Sequence, residues 1–440
     1  MKGWIVLFLG MTLLVFLVYK GMSNIYAALL CALAVALCSS MPLLDTLKNV
    51  YMKGIADWMP VGFAFAIMGA CLGHIYTVSH GAEAVGRKLF TLWGPTEKMS
   101  RNRRVLASLV TMSVMQAILT FTGVSGTVVL LTSVPIAKAF GRAADIPDRY
   151  LPAMTMSPGA SAAMAAPCAP TIGNITASAL LETSAAAGLL GGFCGFFAVF
   201  AAGNVYLYRL ISKDPERRED SKDMEEEKTV YPEFWQAFIP LAVIFVTYSL
   251  LRWDIMVSLT AGILLALALM RQAIPGRGGR KYTETLNLGF RNGTHVFFQI
   301  ASLMGFAAVV QKTAAFGEVA ATVTSLVWNP YMIVFITIVI FTLLTSSPPA
   351  ALALGLPALL PYIRSGQISA GAMHRIAVMG TTTFESMPYS GAAIIAMQLS
   401  GVRFKEGYPP VFVCTVAIPL AAAFLLSCFY MACGSCGLQI

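Results

Sequence analysis

Long apolar runs alternate along this chain with short polar interruptions. The runs from Trp4 to Tyr19, Asn24 to Ser40 and Phe234 to Leu251 each approach the roughly 20 residues that an α-helix needs to cross about 30 Å of hydrocarbon. No series of ten-residue segments alternates apolar and polar positions as a membrane barrel would. Helices satisfy their own backbone groups in lipid, so the pattern predicts an all-α integral membrane protein. The opening run, MKGWIVLFLG, has the hydrophobicity of a signal peptide. No A-x-A site follows and a second apolar run begins almost at once, so it reads as a retained helix.

Four interruptions fall inside apolar stretches: TGVSGT (122–127), APCAPTIGN (166–174), TSSPPA (345–350) and TTTFESMPYSG (381–391). Shifting the first half by 221 positions lays Gly159 on Gly380, Ser161 on Thr382 and Pro167 on Pro388, and brings the first interruption near the third. The pattern predicts two repeats, 58–212 and 293–440. Each holds a re-entrant hairpin (104–141; 329–363) and a broken helix (147–182; 368–400). Residues 1–57 and 234–292 are expected to be further transmembrane helices. The stretch 213–233, with nine acidic and five basic residues, is too polar to bury anything and reads as a solvated cytoplasmic connector.

Composition agrees: 57% of residues are hydrophobic and 12% charged, with a mean hydropathy of +0.73. The net charge of +9 does not indicate nucleic acid, because its excess sits in short loops. Arg87, Lys88, Lys98, Arg101, Arg103 and Arg104 stand against Glu83 and Glu97, and residues 271–291 carry five basic side chains against Glu284. Lys and Arg excess in short loops marks the cytoplasmic side. Counting from those loops predicts about ten crossings plus two hairpins hung from opposite faces, with both termini outside. The nine cysteines lie mostly in apolar runs as small core residues. Cys433 and Cys436 form one C-x-x-C with no second pair, so no metal site is expected. No metalloprotease, P-loop or nucleophile-elbow motif occurs, and no enzymatic activity is expected.

Pro167, Pro170, Pro388 and Gly391 are architectural candidates, since proline withholds a donor and glycine admits unusual dihedrals. Non-helical backbone at membrane depth persists only where protein or water surrounds it. Half-helix N-termini there favour an anion, and exposed carbonyls and hydroxyls favour a cation. The hydroxyls of Thr381, Thr382 and Thr383 have two readings: ligand groups, or bonds back to the preceding turn. Glu385 is a functional candidate because an ionisable group in a membrane span is costly; it reads as a proton carrier, a cation ligand or an acceptor for backbone N–H groups. Asn174 is its nearest counterpart amide in the first half. His74 and His295 read as packed imidazoles in apolar helices, and His80 and His374 as interfacial.

IPDRYLPAM (146–154), PCAPTIGNI (167–175) and AMHRIAVMGTTTFESMPYSGAAI (372–394) resemble the gluconate permease (GntP-type) family of proton-coupled symporters. That family is similar to the wider ion-transporter superfamily of inverted-repeat carboxylate carriers. Cys168 stands where relatives tend to have glycine, and Tyr389 where a histidine usually follows the proline. The second departure removes an imidazole and leaves coupling to Glu385 or to a sodium ion. The resemblance implies a small hydroxylated monocarboxylate as substrate, a homodimer in the inner (plasma) membrane and an elevator-like moving domain.

The resulting expectation is a secondary active transporter that carries an organic anion with H+ or Na+ and uses no other cofactor. Thr122, Ser125, Gly126 and Thr127 from the first hairpin, Asn174 from the first broken helix, and Ser346 and Ser347 from the second hairpin are expected around the substrate. Thr382, Thr383, Ser386, Tyr389 and Ser390 complete the set, with Glu385 handling the cation. No arginine stands within an interruption, which favours a single carboxylate over a polyanion. A sodium/proton antiporter or a sodium-coupled carboxylate symporter on the same scaffold is the alternative.

Overall fold

A computed structural model of the chain describes residues 3–93, 99–124, 126–214, 231–276, 278–325, 329–388 and 390–435. Every regular element among them is helical. The first run of helices opens with α1 (Gly3–Tyr19) and α2 (Asn24–Cys38), the latter started by Ser23, whose hydroxyl accepts the Ile25 N–H. Helix α3 occupies 43–78, with wider π-type turns at Thr46–Tyr51 and Ala64–Met68. Then come α4 (Gly81–Trp93), α5 (Arg101–Phe121) and α6 (Gly126–Ala144). Three short pieces, α7 (Leu151–Thr155), α8 (Pro158–Met164) and α9 (Ile172–Leu181), stand in place of one long helix, and α10 (Leu189–Ser212) closes the run.

A second run follows the same order. It comprises α11 (Phe234–Leu250), α12 (Ile255–Leu269), α13 (Arg280–Gln311), α14 (Ala314–Ser325), α15 (Pro330–Thr345) and α16 (Pro348–Arg364). The interrupted pair α17 (Ala370–Thr381) and α18 (Gly391–Ser400) and the final α19 (Phe404–Gly434) complete it.

Packing repeats with the order. Helix α1 lies on α2 as α11 lies on α12; α2 packs on α13 as α12 packs on α3; α14 packs on α1 and α16 as α4 packs on α11 and α6. Hairpin arms α5 and α6 pair as α15 and α16 do. Helices α11 and α12 belong to the stretch expected to link the repeats, and they pack as the opening pair α1 and α2 does.

The long helices α3 and α13 cross at the centre, where small residues let the backbones approach. A Cβ on Gly293 would stand 2.5 Å from the Cα of Ile67, and one on Gly289 2.8 Å from the Cα of Cys71. Helix α13 has 32 residues, about 48 Å at the usual rise, which exceeds the hydrocarbon thickness. Its first turns therefore carry Arg280, Lys281 and Glu284 in helical form, and Arg280 pairs with Glu284 at 2.8 Å. Much of the basic stretch 271–291 is thus helix rather than loop. Among the described residues, four helices, α5, α10, α13 and α19, are long and apolar enough to cross a membrane by themselves. Large apolar side chains such as Leu9, Leu37, Trp235, Leu264 and Phe424 face outward, as a lipid solvent permits.

Candidate functional site

The first hairpin turns at Thr122, whose hydroxyl donates to the Leu119 carbonyl at 2.8 Å. Gly123 has φ +81° and lies against the first broken helix: a Cβ there would stand 3.2 Å from Cγ of Pro170. Helix α6 resumes at Gly126, where a Cβ would meet nothing within 4 Å. Ser125 lies outside the described residues, as does the side chain of Thr127.

The gap between α7 and α8 is held by Gln116 of the hairpin arm α5. Its Nε2 donates to the carbonyls of Met154 and Thr155, both at 3.1 Å, and its Oε1 accepts from the N–H and hydroxyl of Ser157 at 3.2 and 2.8 Å. One buried amide therefore takes up backbone groups that a continuous helix would have paired. In the second gap Pro167 and Pro170 contribute no N–H, and Cys168 has φ +62°. That left-handed conformation explains why glycine suits this position. Thr171 caps α9, its hydroxyl accepting the Asn174 N–H at 3.4 Å and donating to the Met164 carbonyl at 2.8 Å.

Asn174 is fully buried and turns its amide to its own break, donating from Nδ2 to the carbonyls of Ala166 at 2.8 Å and Ala169 at 3.0 Å. Its Oδ1 accepts from Arg375 Nη1 at 3.0 Å and lies 3.2 Å from His374 Nε2. Since Nδ1 of His374 meets the Thr183 hydroxyl at 2.7 Å, the ring spans two polar partners. His374 is 0% exposed, not interfacial as the sequence suggested, because α17 drives it into the first run.

Arg375 is the residue that sequence reasoning passed over. It stands outside every interruption in sequence, yet its guanidinium enters the first broken helix. It donates to the carbonyls of Ala165 (2.7 Å), Ala185 (3.0 Å) and Ala187 (2.6 Å) as well as to Asn174. Glycines make the room: a Cβ on Gly192 would stand 2.9 Å from Cδ of Arg375, and one on Gly188 2.8 Å from its Cβ. The signal was present, since an arginine between His374 and IAVMG is as costly in a span as Glu385.

In the second run the hairpin turns at Ser346, φ +47°, whose hydroxyl donates to the Phe384 carbonyl at 2.9 Å. Ser347 precedes α16. Thr381, Thr382 and Thr383 donate back to Val378, Met379 and Gly380 at 2.7, 2.9 and 2.7 Å. All three make the local bond, which uses each proton and leaves each oxygen able to accept. Glu385 is half-buried and has no hydrogen-bond or ion-pair partner among the described residues. Next to it, the Ser386 carbonyl accepts from the Tyr408 hydroxyl at 3.0 Å. After Pro388, Ser390 caps α18, its hydroxyl accepting the Ala393 N–H at 3.3 Å; Tyr389 lies outside the described residues.

The four interruptions are contiguous. The first hairpin tip rests on the first break through Gly123 and Pro170, and the second tip is bonded to the second break through Ser346 and Phe384. The breaks adjoin where a Cβ on Gly173 would stand 3.5 Å from Val378 and 3.6 Å from the Thr381 hydroxyl. Helix α9 packs on α16 and α17, while α18 packs on α6 and α7, so each resumed half-helix is embraced by the opposite run. Thr171 and Ser390 each take the third N–H of their helix. The first two N–H groups, of Ile172 and Gly173 and of Gly391 and Ala392, make no bond among the described residues.

Paired runs of helices whose interrupted segments meet at one place make this a multi-pass membrane transporter. The chain belongs to the GntP family of permeases, whose profile matches residues 3–254. It is 23% identical to the uncharacterized transporter YxjC of Bacillus subtilis (strain 168), over 97% of this chain and 98% of that one. In fold it is similar to the YdaH transporter of Alcanivorax borkumensis, described as having an unusual topology, with a TM-score of 0.61, 13% identity and 90% of each chain covered.

Proposed function

We propose that the protein is a secondary active transporter of the inner membrane that carries a small organic anion, such as gluconate or another sugar or hydroxy monocarboxylate, with a cation. The observation that carries this reading is the pair of resumed half-helices, α9 and α18, each capped by a hydroxyl and each keeping two amide donors open beside the hairpin tips. Helix N-termini attract anions through their unpaired N–H groups and dipoles. Their acceptor-rich surroundings, the hydroxyl oxygens of Thr382, Thr383 and Ser386 and the lone carboxylate of Glu385, suit a cation. In this reading Thr122, Gly126, Ser346, Ser347 and Ser390 line the guest. The two runs act as inverted repeats of a homodimer with an elevator-like cycle, both termini lying outside.

Proton coupling through Glu385 is the favoured form. A carboxylate without a protein partner gains more from binding a proton or a sodium ion than one already paired. The same observation supports a second reading, a sodium/proton antiporter that moves no organic solute. Uptake into proteoliposomes separates them. Gluconate accumulation driven by an imposed proton or sodium gradient supports symport, while collapse of a pH gradient by sodium alone, with no uptake of any carboxylate, supports exchange.

A further inference from the structure

Among the described residues, the guanidinium of Arg375 is buried without a counter-charge. It is 0% exposed, and its five hydrogen bonds all end on neutral oxygens: three carbonyls and the Asn174 amide. No carboxylate pairs with it among the described residues. Glu385 lies beyond the end of α17, ten positions on. Carbonyl dipoles solvate the charge, and the C-terminal end of α8 at Ala165 offsets part of it, yet a whole positive charge remains in a poorly polarisable interior, where leaving it unpaired is expensive.

Its placement adds to the cost. Asn174 is the third residue of α9, so the guanidinium stands against the first turn of that helix, whose N-terminus is itself the positive end of a dipole. Two positive features are packed together with only neutral oxygens between them. The five bonds satisfy oxygens of the break, and a negative guest would supply the counter-charge that they do not.

We infer that Arg375 is a positioning residue for the transported anion. Its bonds hold the first break open, and its unneutralised charge, acting through the first turn of α9, draws a carboxylate to the N–H groups of Ile172 and Gly173. It does not touch the guest, because every one of its donors is already taken. This rests on the proposed anion transport and names the charge behind it. At about 8 Å and an effective dielectric near 20, the attraction changes anion affinity about 30-fold.

The test is titration of the purified protein with D-gluconate and with its neutral amide, with melting temperatures recorded to show that each variant is folded. Arg375→Lys, which keeps the charge, holds gluconate affinity within about threefold of wild type. Arg375→Gln weakens gluconate about 30-fold while affinity for the amide stays put. Asn174→Asp provides a second arm: it sets a negative charge against the guanidinium while removing the two bonds from Nδ2, and gluconate binding falls by a similar factor while affinity for the amide stays put. Equal losses for gluconate and its amide, or gluconate binding by folded Asn174→Asp within threefold of wild type, overturn the inference and leave Arg375 a packing residue. If wild type binds neither gluconate, glycerate nor lactate, the transport reading fails first and takes this inference with it.

Discussion

Ser346 donates its hydroxyl to the carbonyl of Phe384 at 2.9 Å, tying the tip of the second hairpin to the second broken helix. In the first run the corresponding contact is made by apolar atoms, Gly123 against Pro170. Among the described residues, one hairpin is thus fastened by a directional bond and the other by packing.

Removing the bond tests whether that fastening matters for transport. Ser346→Ala deletes one hydrogen bond, worth about 1 kcal/mol, and leaves the Phe384 carbonyl free. The expected outcome is a melting temperature within a few degrees of wild type and uptake reduced several-fold. Full uptake in liposomes would detach the hairpin tip from the site.

Glu385 is the carboxylate through which a cation is proposed to pass. Glu385→Gln keeps its size and removes its charge. Gradient-driven accumulation of gluconate should be lost, and its dependence on external pH flattened, while exchange of internal for external gluconate persists. Accumulation at the wild-type rate and with the wild-type pH profile would give the coupling to another group.

Cys168 has φ +62°, a conformation that costs a residue with a Cβ about 1 kcal/mol or more relative to glycine. Cys168→Gly relieves it; Cys168→Ala does not. The glycine variant is expected to be the more stable of the two by about 1 kcal/mol, measured by thermal unfolding. The reverse order would mean that the Cys168 backbone is not held in this conformation.

Gly159 sits where a Cβ would fall 1.9 Å from the carbonyl oxygen of Ser113, so α8 and the hairpin arm α5 touch backbone to backbone. Gly159→Ala forces them apart and should cost roughly 3 kcal/mol or more, above the usual range for overpacking. A melting curve unchanged by the substitution would contradict so close an approach.

Arg149 and Tyr150 both bond the carboxylate of Asp214 at the end of α10, and that carboxylate holds the Arg149 guanidinium above its usual range. A raised folded value makes the stabilisation fully present below the ordinary arginine value and lost only above it. Asp214→Asn should therefore lower stability by roughly 1.5–3 kcal/mol, and by the same amount at pH 7 and pH 9. A penalty that shrinks between those two pH values would assign the effect to a different titrating group.

The apolar runs placed α1, α2 and α11 to within a residue or two, because a helix in lipid is dictated by local composition. The polar interruptions were legible for the same reason: proline, glycine and hydroxyl clusters stand out against an oily background. The back-bonds of Thr381, Thr382 and Thr383 were one of two readings open in the sequence, and local geometry chose between them. The helix order recurs in the two runs, and its trace in the sequence is matched punctuation rather than matched residues, since apolar helices of similar length look alike.

By itself, then, the sequence determined that this is a helical membrane protein with four costly breaks and a lone acid in the last of them, because those facts follow from what each segment contributes alone. Which groups face one another was decided only by the tertiary structure. Arg375 and Asn174 are 201 positions apart, and nothing local in either segment encodes their meeting. A buried charge gains its meaning from its neighbours, and the neighbours of this one come from the other half of the chain.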